Sequence, residues 1–270
     1  MATLVDRLTI DRDDASPDVF VSRDPADEQH VFGGLLVGQA LRAAQLTAAS
    51  HHAAHSVHAS FVEAGIGGTH IRYEVERTRD GSSFSTRRVV ARQERGVVMV
   101  MTAAFHHDEP GLDYEVPATP DVPGPDSLTP GRMQSRVFES RDVPVVAGGP
   151  AHARRSWYRA RSPLPEDPHL HLQALAYLSD HGPSRAAREP HRGLPRDAIE
   201  RTLSLDHSLW FHRPVDVNQW LLVELLPVAT GRGRGLSVGT IRSVDGTLVA
   251  SLAQEILLRP TGGASVRQRE

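Results

Sequence analysis

Three polar side chains stand among apolar neighbours, and together they bring a carboxylate, a hydroxyl and an amide. In the last strand-like segment, Leu248, Ala250, Leu252, Gln254, Ile256 and Leu258 share one face of an alternating pattern. An amide in such a row either finds hydrogen-bond partners or costs about 1–3 kcal/mol, unless the position is an edge open to water. Asp180 closes a predicted helix after the largely apolar run Leu175-Ala-Tyr-Leu-Ser179. The macrodipole disfavours an anion at that end by roughly 0.3–1 kcal/mol, so the carboxylate is either simply solvated or held there for use. Within Thr202–His212, alternation puts Ser204, Asp206 and Ser208 on one face and Leu203, Leu205, Leu209 and Phe211 on the other. A face of small polar residues is ordinarily just the wet side of a strand, and no one of the three side chains is decisive alone.

The elements that must position them come in two copies. Phe61–Phe105 laid over Phe211–Glu255 needs no gap, and Phe61/Phe211, Glu74/Glu224, Gly81/Gly231, Arg92/Arg242, Gly96/Gly246 and Ala103/Ala253 are identities. Both glycine pairs fall at turn-like breaks, and apolar positions such as Ile71/Leu221 and Val98/Leu248 coincide. Each copy carries a helix, a gap and a run of strands. The first helix is predicted over Gly33–Ala49. The second starts at Asp167-Pro168, an N-cap followed by proline at the first helical position, and stops at Gly182-Pro183. Strands are expected at Tyr73–Thr78, Phe84–Gln93 and Val97–His106, and again at Trp220–Leu226, Gly235–Ser243 and Thr247–Leu258. Glycine turns between them imply antiparallel hairpins, so the class is α+β, with each sheet wrapped on its helix and the two sheets joined edge to edge. Six prolines between Asp108 and Pro130 make a connector. The expected organisation is a unit at 1–109, a Pro-rich linker at 110–133, a second unit at 134–260 and a mobile tail at 261–270.

Composition narrows the chemistry by exclusion. All 30 basic residues are arginine and cysteine is absent, so Schiff-base lysines, thiol nucleophiles, disulfides and cysteine metal sites are ruled out. A net charge of −3 gives no electrostatic case for nucleic acid. Met1–Asp14 is charged where a signal peptide is apolar, and no run of 18 apolar residues occurs, so no membrane insertion and a cytoplasmic location are expected. His51, His52, His55, His169 and His171 cluster in sequence without a metal-binding spacing, and no metal or cofactor is expected. Thr230-Gly-Arg-Gly-Arg-Gly235 could touch phosphate through backbone N–H groups but suits a hairpin loop better. Asp80-Gly-Ser-Ser-Phe-Ser85 lacks the final glycine of a nucleophile elbow.

Several long blocks, in order, resemble the acyl-CoA thioesterase II family: Val31-Phe-Gly-Gly-Leu-Leu-Val-Gly-Gln-Ala-Leu41, Arg79-Asp-Gly-Ser-Ser-Phe-Ser-Thr-Arg-Arg-Val-Val-Ala-Arg92, Ala176-Tyr-Leu-Ser-Asp180, Leu205-Asp-His-Ser-Leu-Trp-Phe-His-Arg-Pro214 and Ala253-Gln-Glu255. The resemblance runs from about Val31 to Arg259. It implies a double hot-dog fold, two tandem units each with a long helix wrapped by a curved antiparallel sheet. It implies hydrolysis of acyl-CoA to free fatty acid and coenzyme A without a cofactor, and assembly into a homo-oligomer. It also implies that Asp180, Ser204 and Gln254 match the family's catalytic trio. Asp180 would then polarise or deprotonate a water that Ser204 and Gln254 orient, with Asp206 as the reserve carboxylate.

The chain departs from the family pattern in three places. Ser204 replaces a common Thr, His-Gly-Pro-Ser follows Asp180 in place of a more apolar segment, and Val-Glu-Ala-Gly follows Phe61 where an Arg-Pro pair is common. In the first copy Gln39 is expected near the Asp180 position and Ala104 at that of Gln254, so that unit is expected to be silent. Two other functions remain open at this level: a hot-dog enoyl-CoA hydratase, for which no Gly-Asp-x-Asn-Pro-type loop is found, and a non-catalytic acyl-CoA binder.

Overall fold

A computed structural model describes residues 2–23, 29–118, 122–131, 135–144, 150, 152–195 and 198–261. Most of the tail expected at 261–270 therefore lies outside the described residues, as do parts of the linker. In the first half, a short helix α1 (Leu4–Leu8) and strands β1 (Ile10–Arg12) and β2 (Val19–Ser22) precede the long helix α2 (Gly33–Gln45). Strands β3 (His52–Phe61), β4 (Arg72–Asp80), β5 (Phe84–Gln93) and β6 (Gly96–His107) follow. The second half runs β7 (Phe138–Val143), β8 (Arg154–Ala160), α3 (Pro168–Ser179) and a short α4 (Pro183–Arg188). It ends with β9 (Ile199–Ser204), β10 (Asp206–Phe211), β11 (Leu221–Gly231), β12 (Arg234–Ser243) and β13 (Leu248–Pro260).

These strands form one antiparallel sheet in the order β1-β2-β4-β5-β6-β3-β10-β13-β12-β11-β8-β7, with β9 pairing β13 off the path. The order has the same form from either end, as a duplicated unit requires. Its centre is the β3–β10 seam, where Ser60 pairs with Asp206, His58 with Ser208 and Ser56 with Trp210. An offset of 150 residues, as between Phe61 and Phe211, turns the first of these pairs into the third and maps His58–Ser208 onto itself. The two units are thus related by a pseudo-twofold axis through that pair, and His58 Nδ1 meets Ser208 Oγ across it at 3.0 Å. The glycines that close the last hairpin of each unit, Gly96 (φ 142°) and Gly246 (φ 92°), occupy backbone that disfavours a side chain, which explains their coincidence in the alignment.

Helices α2 and α3 run antiparallel, back to back, inside the wrapped sheet. Their separation is set by glycine. A Cβ on Gly34 would lie 2.3 Å from the Tyr177 carbonyl oxygen, and one on Gly38 would lie 3.1 Å from that of Gln173. Farther along, Arg42 Nη1 donates to Gln173 Oε1. Leu36, Leu41, Val57, Met99, Leu175, Leu178 and Leu209 are buried in one continuous core that spans both units.

Three segments differ from the sequence expectation. Helix α2 ends at Gln45 and turns through Leu46–Ala48, where Thr47 Oγ donates back to the Ala44 carbonyl. Gly182-Pro183 does stop α3, but Pro183 then opens α4. The histidines at 52, 55 and 58 belong to the central strand β3, in what the sequence presented as a gap. That strand is rich in Ala and His rather than β-branched residues and is bulged between Ala54 and Ser56, so neither propensity nor strict alternation marks it.

The close helix contact makes a direct prediction. Gly34→Ala should cost about 1–3 kcal/mol, as overpacking does. Gly111→Ala, where a Cβ meets nothing within 4 Å, should be neutral; equal urea midpoints for the two variants would refute the glycine-set spacing.

Candidate active site

The site forms where the C-terminal end of α3 meets the N-terminal end of α2. Asp167 accepts from the His169 N–H and starts α3 beside Pro168, as expected from the sequence. Twelve residues later the chain leaves the helix at Asp180, the C-cap. The opposing helix begins at Phe32, which provides no side-chain cap. Asp180 supplies it: the Gly34 N–H donates to Asp180 Oδ2 at 2.8 Å. The carboxylate that opposes the dipole of its own helix therefore sits on the favourable end of its neighbour. Glycine is needed here as well, since a Cβ on Gly33 would lie 2.7 Å from Asp180 Oδ2 and 3.0 Å from the Phe61 ring.

Gln254 reaches the same carboxylate from β13. Its row is buried as the alternation implied, and Gln254 itself is 0% exposed, which removes the reading of a wet edge position. The amide Nε2 donates to Asp180 Oδ1 at 2.8 Å and to Ser204 Oγ at 2.7 Å. Asp180, Ser204 and Gln254 are thus brought into one hydrogen-bonded group.

Ser204 arrives by a route that alternation does not give. It pairs with Ile256 of β13, whereas Ser208 pairs with Ala253. Four steps along one strand therefore oppose three along the other, a one-residue bulge at the β9–β10 junction. The bulge reverses the expected faces on the β9 side and leaves those of β10 as expected. Ser204 shares the interior with His207 and Leu209, while Leu203 is 40% exposed. Asp206, the reserve carboxylate, is exposed and accepts from the Glu255 N–H, away from the trio.

One participant is absent from the sequence reading. His207 is fully buried, with Nδ1 2.7 Å from Gln254 Oε1 and Nε2 2.7 Å from Ser179 Oγ. The copy comparison could have shown it, because four positions upstream of the aligned block His207 lies against Val57. Gln39 also departs from expectation. It sits in the middle of α2, accepting from the Tyr73 hydroxyl and donating to the Arg7 carbonyl. The residue that ends α2 as Asp180 ends α3 is Leu46.

Burial raises the Asp180 carboxyl above the ordinary carboxylate range, against the pull of His207, Gln254 and the Gly34 N–H. Burial also lowers His207, opposed by Asp180 and by its bond to Gln254. Asp180 nonetheless keeps part of its surface open, so a carboxyl of raised basicity is not wholly sealed from solvent. Elsewhere, the 230–235 glycine-arginine stretch is the β11–β12 hairpin, with Arg232 and Gly233 at positive φ. His106, His107 and Glu109 bring ligand atoms within 4.8 Å of one another, and a 3.1 Å hydrogen bond joins His106 to Glu109. Among the described residues, no helix is long and apolar enough to cross a membrane.

With this geometry in place, comparison with known proteins is informative. The family description "Acyl-CoA thioesterase N-terminal domain" matches residues 22–106, and "Acyl-CoA thioesterase C-terminal domain" matches 113–258. Acyl-CoA thioesterase 2 of Haemophilus influenzae is 33% identical over 254 residues, covering 86% of this chain and 88% of the relative. The crystal structure of an acyl-CoA thioesterase II, TesB2, from Mycobacterium marinum superposes with a TM-score of 0.87 at 35% identity, covering 97% and 100% of the two chains. A hot dog fold protein of unknown function from Alicyclobacillus acidocaldarius, 19% identical, gives 0.79 over 98% and 100% and so supports the fold alone.

The residue after Asp180 yields a pH prediction. His181 is boxed by Phe32, Tyr177, Phe138 and Tyr158, with ring centroids 4.7, 5.5, 6.1 and 6.2 Å away. Burial pushes its imidazole from 6.5 down to about 4, against the opposing effect of the Tyr177 and Leu178 backbone. Between those values the unfolded chain binds a proton that the folded chain does not, so stability drains away as pH falls through the window. The loss from this group is about 3 kcal/mol at the acid end. His181→Phe should remove it, so the urea stability of the variant relative to the parent should climb steadily from pH 6.5 to 4; parallel curves would refute the assignment.

Proposed function

This chain belongs to the acyl-CoA thioesterase II family, double hot-dog thioester hydrolases, and we propose that its hydrolytic water is held by Asp180, Ser204 and Gln254. The observation that carries this reading is their convergence. Residues 74 and 50 positions apart from Gln254 both accept its amide hydrogens within 2.8 Å. The Gln254 N–H bonds hold the carboxylate and the hydroxyl in place. Ser204 Oγ accepts from Gln254, which leaves its own O–H free to donate to a water lying against Asp180.

Attack then proceeds without a covalent enzyme intermediate. The water oxygen adds to the thioester carbonyl carbon as one of its protons passes to Asp180. Charge builds on the carbonyl oxygen, and the positive end of α2 is the nearest fixed dipole to receive it. The Gly33 N–H, first of that helix and without an acceptor among the described residues, is the donor we assign to the oxyanion. Collapse expels coenzyme A thiolate, and Asp180 returns the proton to sulfur, giving free acid and free thiol. The raised carboxyl suits the task because a stronger base takes the water proton more readily.

The remaining assignments are made on the same footing. The unit at 134–260 carries the trio and is joined by the 110–133 linker to the unit at 1–109, which has no trio of its own and lends the start of α2 to the site. The substrate is an acyl-CoA, the protein acts in the cytoplasm, and copies of it associate as a homo-oligomer. At the place in the first unit that corresponds to the site, Val57 and Ala104 replace His207 and Gln254. The fully buried Arg87 guanidinium binds the Thr47 hydroxyl and carbonyl just beyond α2.

Release of free coenzyme A thiol from a panel of acyl-CoAs tests the proposal, with enoyl-CoA absorbance followed alongside to detect hydration. Asp180→Asn and Gln254→Ala should each lower kcat by on the order of a hundredfold or more. Gln39→Ala should lower the melting temperature and leave the kcat of the folded enzyme unchanged. Comparable losses of kcat in all three would defeat the single-site reading, and absence of thiol release at every chain length would defeat hydrolysis. The acid limb of the kcat profile should lie above the ordinary carboxylate range, in line with the raised Asp180 carboxyl; a limb at or below that range would remove Asp180 as the base.

A further inference from the structure

We propose that His207 is a positioning residue that fixes which end of the Gln254 amide faces the reacting water, an inference that rests on the Asp180–Ser204–Gln254 reading above. An amide side chain is nearly symmetric in shape but not in chemistry: one end donates twice and the other only accepts. Turned one way, Gln254 gives N–H bonds to Asp180 and Ser204. Turned the other way, it sets its oxygen against a carboxylate, and both the base and the hydroxyl lose their support. What selects between the two must hold the oxygen end.

His207 does this from the adjacent strand. Continuing the β10–β13 register by one residue from Ser208–Ala253 sets His207 opposite Gln254. Its Nδ1 is 2.7 Å from Gln254 Oε1, which can only accept, so the proton resides on Nδ1. The ring is held in turn at Nε2, 2.7 Å from Ser179 Oγ, and that hydroxyl also lies 2.9 Å from the Ala176 carbonyl. Ser179 can donate to Nε2 when the ring is neutral, or to Ala176 when Nε2 carries a proton. In both states the Nδ1–H bond to Gln254 persists. The amide is therefore held in either charge state as long as Nδ1 keeps its proton, and the alternative neutral tautomer would set a ring lone pair against Gln254 Oε1.

The duplication gives independent support. At the 150-residue offset, His207 and Gln254 correspond to Val57 and Ala104. The histidine is absent where the amide is absent, as expected if its task is to hold that amide. His207 touches neither water nor thioester in this arrangement, since both ring nitrogens are engaged by protein. It acts through Gln254.

Substitution separates positioning from mere packing. Asn places a donor where Nδ1–H stands, Gln places one nearer Nε2, and Leu fills the space with none. Initial rates of thiol release should show His207→Asn within a few-fold of the parent, and His207→Gln and His207→Leu lower in kcat by about one to two orders of magnitude. KM should change little. In Gln254→Ala, adding His207→Leu should lower kcat no further, because the group being positioned is gone. Additive losses in that double variant would overturn the proposal, as would His207→Gln outperforming His207→Asn. Should His207→Leu fail to fold, the Asn/Gln order alone decides. Gln254→Ala at parental activity would instead defeat the trio itself, an outcome distinct from failure of the histidine's role.

Discussion

The structure depends on the contact between Asp180 and the Gly34 N–H. One carboxylate ends α3 and caps α2, so a charge that is unfavourable for one helix is favourable for the other. The contact is possible only because the helices approach without side chains between them, with Gly33 against the carboxylate and Gly34 against the Tyr177 carbonyl. That approach sets the spacing of the two central helices, and hence the sheet that wraps them. It also places the Asp180 carboxylate beside β13, where Gln254 meets it. Packing of the duplicated units and assembly of the site are therefore one event, and the site requires both units.

Much of this was legible from sequence because it rests on periodicity and on turn chemistry. The period of two in Leu248–Leu258 marks Gln254 as an amide inside an apolar row. The glycines at 96 and 246 mark equivalent turns, and Asp167-Pro168 marks the start of α3. What was misjudged rests on irregularity. A single bulged residue between β9 and β10 moves Ser204 from the assumed wet face to the interior and leaves Asp206 outside. Alternation carried through the bulge misplaces Ser204 and leaves Asp206 where it was expected, since strand faces have a period of two and one extra residue exchanges the faces on one side of the bulge. β3 was hidden for the related reason that its histidines and alanines carry little strand signal. His207 went unremarked because a histidine inside an aromatic strand looks like packing until its partners are known.

Burial divides the trio into a wet part and a dry part. Asp180 and Ser204 keep some exposure, while Gln254 and His207 have essentially none. In the proposed reaction the groups that meet water are the ones within its reach, and those that orient them are enclosed. Enclosure strengthens each hydrogen bond and raises the cost of leaving one unmade. It also raises the affinity of Asp180 for a proton, which a base requires. Asp180 would be an expensive buried charge on its own, and His207 together with the N–H groups of Gln254 and Gly34 opposes the upward push of burial.

The same reasoning explains why, in a nearly twofold molecule, the group of Asp180, Ser204 and Gln254 has no counterpart at the other helix junction. The axis through His58 and Ser208 brings the start of α3 to the end of α2, mirroring the start of α2 at the end of α3. The two helix starts are chemically unlike. Helix α2 begins at Phe32 without a side-chain cap, so its first amides are available to a carboxylate from the other unit and to a developing oxyanion. Helix α3 is capped by its own Asp167, and its first residue is a proline with no N–H to offer. The contact at that end is a 3.2 Å bond between His169 and the Ser50 carbonyl, with no carboxylate from α2. Removing Arg87 would therefore not uncover a second site, because Pro168 has no N–H where Gly33 offers one in α2 and the His169 N–H is taken by Asp167.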